Sequence, residues 1–139
     1  MKTAGYSGRP LEKKLGLKTG STIKLVNHPA HYFDLFNDWP AHINIENNSK
    51  ILKDFIHFFS KDATALGRDL EDLRKEIKQN GMIWVSWPKK SSGVSTDITE
   101  DVVRACAIKH GLVDIKVCAV DKVWSGLKLV IPVKGRNVV

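Results

Sequence analysis

Residues 81–127, GMIWVSWPKKSSGVSTDITEDVVRACAIKHGLVDIKVCAVDKVWSGL, decide the fold. Met82-Ile83-Trp84-Val85-Ser86-Trp87 is nearly all large and apolar, the pattern of a strand covered on both faces in the middle of a sheet. Pro88, with no amide to give a ladder, ends it. The loop Lys89-Lys90-Ser91-Ser92-Gly93-Val94-Ser95-Thr96 then runs into Asp97, which can cap a helix while Glu100 three residues on completes a capping box. That helix is predicted from Ile98 to about His110, with Ile98, Val102, Ala105 and Cys106 on one stripe and Gly111 as its stop. Residues 114–121, DIKVCAVD, alternate as a strand. Lys122-Val123-Trp124-Ser125-Gly126 turns the chain, and residues 127–131, LKLVI, return as the antiparallel partner.

Working upstream, residues 62–81 carry the clearest helix. Asp62 can cap it, Leu66, Leu70, Leu73 and Ile77 form its apolar stripe, and Asn80-Gly81 supplies a stop. Before it, Asp54-Phe55-Ile56-His57-Phe58-Phe59 suits a second strand covered on both faces, with His57 read as a hydrogen-bonded core residue. Residues 42–46 alternate polar and apolar as a half-buried strand nearer an edge, and residues 30–36 suit a short helix broken at Trp39-Pro40. Thr22-Ile23-Lys24-Leu25-Val26 reads as the first strand. Ahead of it, Pro10 opens a short helix through Leu15 that must dock by Leu11, Leu15 and Leu17, because so short a helix is marginal alone. The fold class is α/β: a three-layer sandwich with a mostly parallel central sheet and a C-terminal antiparallel β-hairpin, reduced Rossmann-like. One domain spans residues 1–139, with a flexible lead over residues 1–9 and a flexible basic tail over residues 133–139.

The loop after the first strand, Asn27-His28-Pro29-Ala30-His31-Tyr32, contains no glycine. A dinucleotide-binding turn needs glycines there so that the backbone can approach a pyrophosphate, so NAD and S-adenosylmethionine are both disfavoured as cofactors. His28 and His31 lack Cys, Asp or Glu at ligand spacing and read as surface histidines, with no metal expected. Asp34 and Asp38 are assigned no role. The ligand site falls instead at the 88–97 loop, since open α/β sheets dock ligands beyond the C-terminal ends of their strands and helix N-termini favour anions. Lys89, Lys90, Ser91, Ser92 and Thr96 are the candidate anion ligands, bordered by Trp87, Asp121, Trp124 and Ser125. Two features weigh against it: the GxxxxGK[ST] spacing does not occur, and Asp97 at the helix start would repel an anion.

Length and charge narrow the class. A chain of 139 residues forms one core and buries roughly 70% of its unfolded surface. No apolar run approaches the roughly 18 residues of a membrane span, and MKTAGYSGRP lacks a signal peptide's apolar segment, which together predict a soluble cytoplasmic protein. Cys106 and Cys118 read as small buried hydrophobes. The net charge is +7, but the 22 Lys and Arg are scattered, as at Lys13-Lys14, Arg74-Lys75, Lys89-Lys90 and Lys134 with Arg136. A nucleic-acid surface would need the fold to gather them on one face; the simpler reading is a solvated basic surface.

Three stretches carry a family resemblance: GYSGRPLEKKLGLK (5–18), WVSWPKKSSGVSTDITEDVVR (84–104) and GLVDIKVCAVDKVWSGLK (111–128). With them the chain resembles the bacterial family known as domain of unknown function 3052. The resemblance implies a compact α/β sandwich similar to a reduced Rossmann-like methyltransferase domain, with a terminal antiparallel hairpin and without the glycine-rich cofactor loop. It implies no activity, and no methyltransferase residue carries over to Asn27-His28-Pro29-Ala30-His31. Three function classes follow. The first is a noncatalytic ligand-binding or interaction module with an anion site at the 88–97 loop. The second is a divergent, methyltransferase-like transferase acting on a phosphorylated or acidic substrate, with Lys89 or Lys90 holding the anion and Asp97 or Asp121 as base. The third is a nucleic-acid-binding protein, with steeply salt-dependent binding to polyanions.

Overall fold

The computed structural model describes residues 8–135. Its organising pair is β3 (Lys53–Phe59) and β4 (Ile77–Pro88), parallel and matched from Phe55 opposite Met82 to Phe59 opposite Ser86. Outside β3 lie β1 (Thr22–Val26) and then β2 (Asn44–Ile45), both parallel to it. On the other side, β6 (Trp124–Val130) runs antiparallel to β4, and β5 (Val113–Ala119) closes the sheet antiparallel to β6. The strand order β2-β1-β3-β4-β6-β5 is therefore mostly parallel with a C-terminal antiparallel hairpin.

Strand alternation sorts the core into two layers. On one face Ile56, Phe58, Ile83, Val85, Leu127 and Leu129 pack against Leu66, Leu70 and Leu73 of α2 (Ala63–Arg74) and Val103 and Ala107 of α3 (Glu100–Lys109). On the other, Phe55, Phe59 and Trp84 meet Leu11 and Leu15 of α1 (Leu11–Leu15) together with Tyr32 and Phe36. That second layer is thin, and α1 is held to it by the Trp84 indole, which donates to the Leu15 carbonyl at 2.8 Å. Gly16 ends α1 in the left-handed region at φ 74°, where a side chain would be strained.

Several boundaries differ from the sequence reading. α2 stops at Arg74 with Lys75 as its C-cap, so Ile77 belongs to β4 and Asn80-Gly81 lie inside that strand. Gly81 serves the irregular register there: a Cβ on it would sit 2.9 Å from the Lys53 carbonyl oxygen. α3 begins only at Glu100, capped by the Thr99 hydroxyl, which accepts from the Val102 amide; Asp97 instead accepts from the Ala63 amide at the start of α2. Its buried residues are Val103 and Ala107, and Ala105 is exposed. Residues 30–36 form a single 3-10 turn, Tyr32–Leu35, and the 42–46 segment pairs only at Asn44–Ile45. β6 starts at Trp124, inside the expected turn. Of the expected lead and tail, residues 1–7 and 136–139 lie outside the described residues, and Val133–Gly135 form a 3-10 turn.

One ionic cluster is built into the sheet. Lys53 is fully buried and donates to Glu76 Oε1 at 2.7 Å and to the Asn48 carbonyl at 2.6 Å, while Lys24 donates to both Glu76 oxygens. Burial raises the Glu76 pKa, but the hydrogen bonds from Lys53 and Lys24 outweigh it and hold the carboxyl below its ordinary range. Removing the carboxylate strands a buried ammonium. Glu76→Ala should cost about 3–5 kcal/mol in denaturant unfolding. Because the folded pKa is depressed, the Glu76 contribution is complete above the unfolded carboxylate value of about 4.3 and is lost as pH falls below it; the variant's acid limb should be correspondingly shallower.

Candidate functional site at the C-terminal rim of the sheet

The loops after β1, β3 and β4, and the turn entering β6, meet at one end of the sheet. Two concavities open there. The larger, about 610 Å³, lies between the end of β4 and the start of α3 and is lined by Trp87, Lys89, Lys90, Ser95, Thr96 and Ser125, among others. The second, about 470 Å³, lies between the ends of β1 and β3 and takes in Asn27, Phe59, Lys61, Asp62 and Trp124. This is the topological switch point, where β1 is flanked by β2 on one side and β3 on the other.

The expected anion ligands divide by what already holds them. Lys90 is exposed and its side chain has no hydrogen-bonding partner among the described residues, which leaves its ammonium available to the larger concavity. Lys89 also lines it, but its Nζ donates to the Asp121 carbonyl at 2.6 Å. The Thr96 hydroxyl donates to the Lys61 carbonyl at 2.6 Å and accepts from the Ile98 amide, tying the rims of the two concavities together. Ser91 and Ser92 lie in the 3-10 turn Lys90–Ser92, outside the lining; Ser92 donates to the Lys89 carbonyl and accepts from the Val94 amide, shaping the loop. Of the border residues, Trp87 and Ser125 line the larger concavity, and Trp124 lines the second.

The contact of Asp121 with His31 is one that spacing did not reveal. Asp121 Oδ1 accepts from the Val123 and Trp124 amides, capping the turn, while Oδ2 is 2.8 Å from His31 Nε2. The His31 side chain is half exposed, so a buried carboxylate orients a solvent-accessible imidazole beside the switch point. Among the described residues no group of three or more His, Cys, Asp or Glu is disposed to hold a metal, and no helix is long and apolar enough to cross a membrane.

The family model described as "Protein of unknown function (DUF3052)" matches residues 41–133, which carry β2 through β6, both larger helices and the whole 88–99 loop. The chain belongs to the DUF3052 family. No curated protein shows significant similarity to it. Solved structures do. A ribosomal protein L11 methylase from Lactobacillus delbrueckii subsp. bulgaricus superposes with TM-score 0.54 at 9% identity, over 84% of this chain and 72% of that one. Magnesium protoporphyrin IX methyltransferase from Synechocystis PCC 6803, with bound SAH, gives 0.53 at 8% identity over 87% and 78%. An O-methyltransferase from neocarzinostatin biosynthesis, in complex with S-adenosylmethionine, gives 0.51 at 12%, and there this chain spans only 41% of the neighbour's length. At such identities the likeness is one of fold: this DUF3052 protein has a Rossmann-like, methyltransferase-type sheet.

Beneath the rim the DUF3052 sheet buries a polar row. His57 is fully buried, with Nδ1 3.0 Å from the Tyr32 hydroxyl, Nε2 2.8 Å from the Ser86 hydroxyl, and its ring stacked on Phe59. Both ring nitrogens are occupied, so it is a core residue. Burial, with a smaller push from His28, lowers its pKa to about 3. The unfolded chain, with a histidine pKa near 6.5, therefore binds a proton that the folded chain refuses between about pH 6.5 and 3. Stability should fall as pH drops through that window by up to about 1.4 kcal/mol per unit from this group. In urea titrations at pH 4.5 to 6.0, His57→Gln should lose that component of the slope; equal slopes would contradict the assignment.

Proposed function

We propose that this DUF3052 domain is a binding module that takes a small anionic molecule in the concavity between the 88–97 loop and the start of α3. The observation that carries the reading is an imbalance of charge. The Lys90 ammonium has no partner among the described residues, and the hydroxyl-bearing Ser95, Thr96 and Thr99 stand with it in the lining. The nearby carboxylates are turned to other partners: Asp97 accepts from the Ala63 amide, and Glu100 is paired with Arg104. Asp97 keeps its charge but lies outside the lining, fixed on the Ala63 amide at the start of α2. A charge-assisted hydrogen bond contributes roughly 1.5–3 kcal/mol, so Lys90→Ala should weaken pyrophosphate binding about tenfold or more in isothermal titration calorimetry at fixed ionic strength. An unchanged Kd would remove Lys90 from the site and the reading with it.

A divergent methyltransferase is the second reading, favoured by the sheet topology and by neighbours that hold S-adenosylmethionine or SAH. Two features of this chain oppose it. The 27–32 loop has no glycine, and the Asn27 side-chain amide donates to the Phe59 carbonyl at 3.2 Å, bridging β1 and β3 across the crevice at the switch point. Differential scanning fluorimetry separates the two readings. A ligand at a hundred times its Kd stabilises by about 2.7 kcal/mol and raises Tm by several degrees in a chain of this size. The binding-module reading expects no shift with 1 mM S-adenosylmethionine; a shift of several degrees would favour the transferase.

A further inference from the structure

We propose that the α1 side of the β5–β6 edge is a docking surface for the sugar-phosphate backbone of a nucleic acid. The site lies on the opposite face of the sheet from the concavity beside α3. Pairing sets Lys116 of β5 directly opposite Lys128 of β6, and cross-strand partners share a face with Cβ atoms only about 4.5–5.5 Å apart. Two like charges so placed repel, and Lys18, just beyond α1, adds a third. The Lys128 pKa is lowered by burial and then by the charges of Lys116 and Lys18, so its ammonium feels both neighbours. Lys14 of α1 reaches the same edge, where its Nζ donates to the Ala119 carbonyl at 3.0 Å.

No carboxylate answers this cluster. Among the described residues the side chains of Lys18, Lys116 and Lys128 have no hydrogen bond or ion pair. The neighbouring acids are bound elsewhere: Glu12 accepts from the Asn37 and Asp38 amides, Asp54 is held by Lys78, Asp114 by Arg104, and Asp121 by His31. Folding thus gathers charges that repel and leaves them unpaired, which an external polyanion would reverse.

The geometry favours an extended polyanion over a small ion. Lys116 and Lys18 are exposed and stand on a strand surface and a helix-following turn. From the Lys116–Lys128 row to the Ala119 row is three residues of strand, about 10 Å, a reach longer than a single phosphate group. The exposed apolar side chain of Val117 belongs to the other face, opposite Leu127.

The test is fluorescence anisotropy with a labelled single-stranded 20-mer across 50–200 mM salt, using the full chain. Three neutralised phosphates predict a slope of log K against log[salt] near −2. Lys116→Glu creates a cross-strand pair with Lys128; it should keep or raise Tm while weakening oligonucleotide binding at least tenfold. Lys18→Ala/Lys116→Ala/Lys128→Ala should flatten the salt slope, and a charge-matched control, Lys50→Ala/Lys75→Ala/Lys109→Ala, should not. Loss of binding equal to the triple variant's in the control would overturn the proposal, as would no binding by the unaltered chain at 50 mM salt. So would full displacement by 5 mM pyrophosphate at constant ionic strength, or binding to phosphatidylserine vesicles without binding to the oligonucleotide.

Discussion

The pairing of β3 with β4, residue for residue and covered on both faces, is the constraint on which the rest of this protein hangs. Ile56 and Phe58 must face α2 and α3 beside Ile83 and Val85, and Phe55 and Phe59 must face α1 beside Trp84. Side chains alternate with period two, so a slip of one residue would exchange the two cores wholesale. The same register brings His57 and Ser86 onto one face within hydrogen-bonding distance, and Tyr32 closes the row from above. Burying three polar groups is tolerable only with every partner in place. The row therefore fixes the segment after β1 against the sheet, and that segment carries His31 to Asp121.

What could be read from the sequence follows the range of the forces involved. The central strand at Met82 to Trp87 was legible because an unbroken apolar run has one stable home, a sheet interior. Its basic loop at the C-terminal rim followed from the same reading. Helix ends were less legible. Asp97 with Glu100 satisfies the local rule for a cap, yet Asp97 serves the first amide of α2, a partner 34 residues away, and Thr99 caps its own helix instead. Ile77 continues the leucine stripe of α2 in sequence, but pairing with Lys53 draws it into the sheet. The His31–Asp121 pair, 90 residues apart, left no local trace, because only the β1–β3 and β4–β6 adjacencies bring the two loops together.

The second concavity was missed for a related reason. A switch point is a property of strand order, which neither periodicity nor composition records. The loop that would serve a nucleotide there was correctly read as glycine-free, and its geometry shows how the chain manages without one. Asn27 takes the left-handed conformation at φ 57°, which asparagine tolerates, and spends its side chain on the Phe59 carbonyl. A glycine at that position leaves backbone open to a ligand; an asparagine closes the gap with its own amide. Sharing a fold with methyltransferases thus says little about chemistry, because one sheet can carry turns of different sequence.

The distribution of charge completes the picture. The helical layer largely cancels itself: Arg104 answers Glu100, Asp101 and Asp114, and Arg68 answers Asp69. In the sheet, Lys24 and Lys53 share Glu76. These pairs leave most of the net charge of +7 on side chains outside them. Lys90 at the rim and the Lys18, Lys116 and Lys128 group at the hairpin edge are two of the places where the fold leaves positive charge unanswered. The Lys18, Lys116 and Lys128 group is not predictable from the run of lysines along the chain, since it arises from strand pairing. A scattered basic composition becomes patterned only once β6 is inserted between β4 and β5, and that insertion makes the Lys116–Lys128 row.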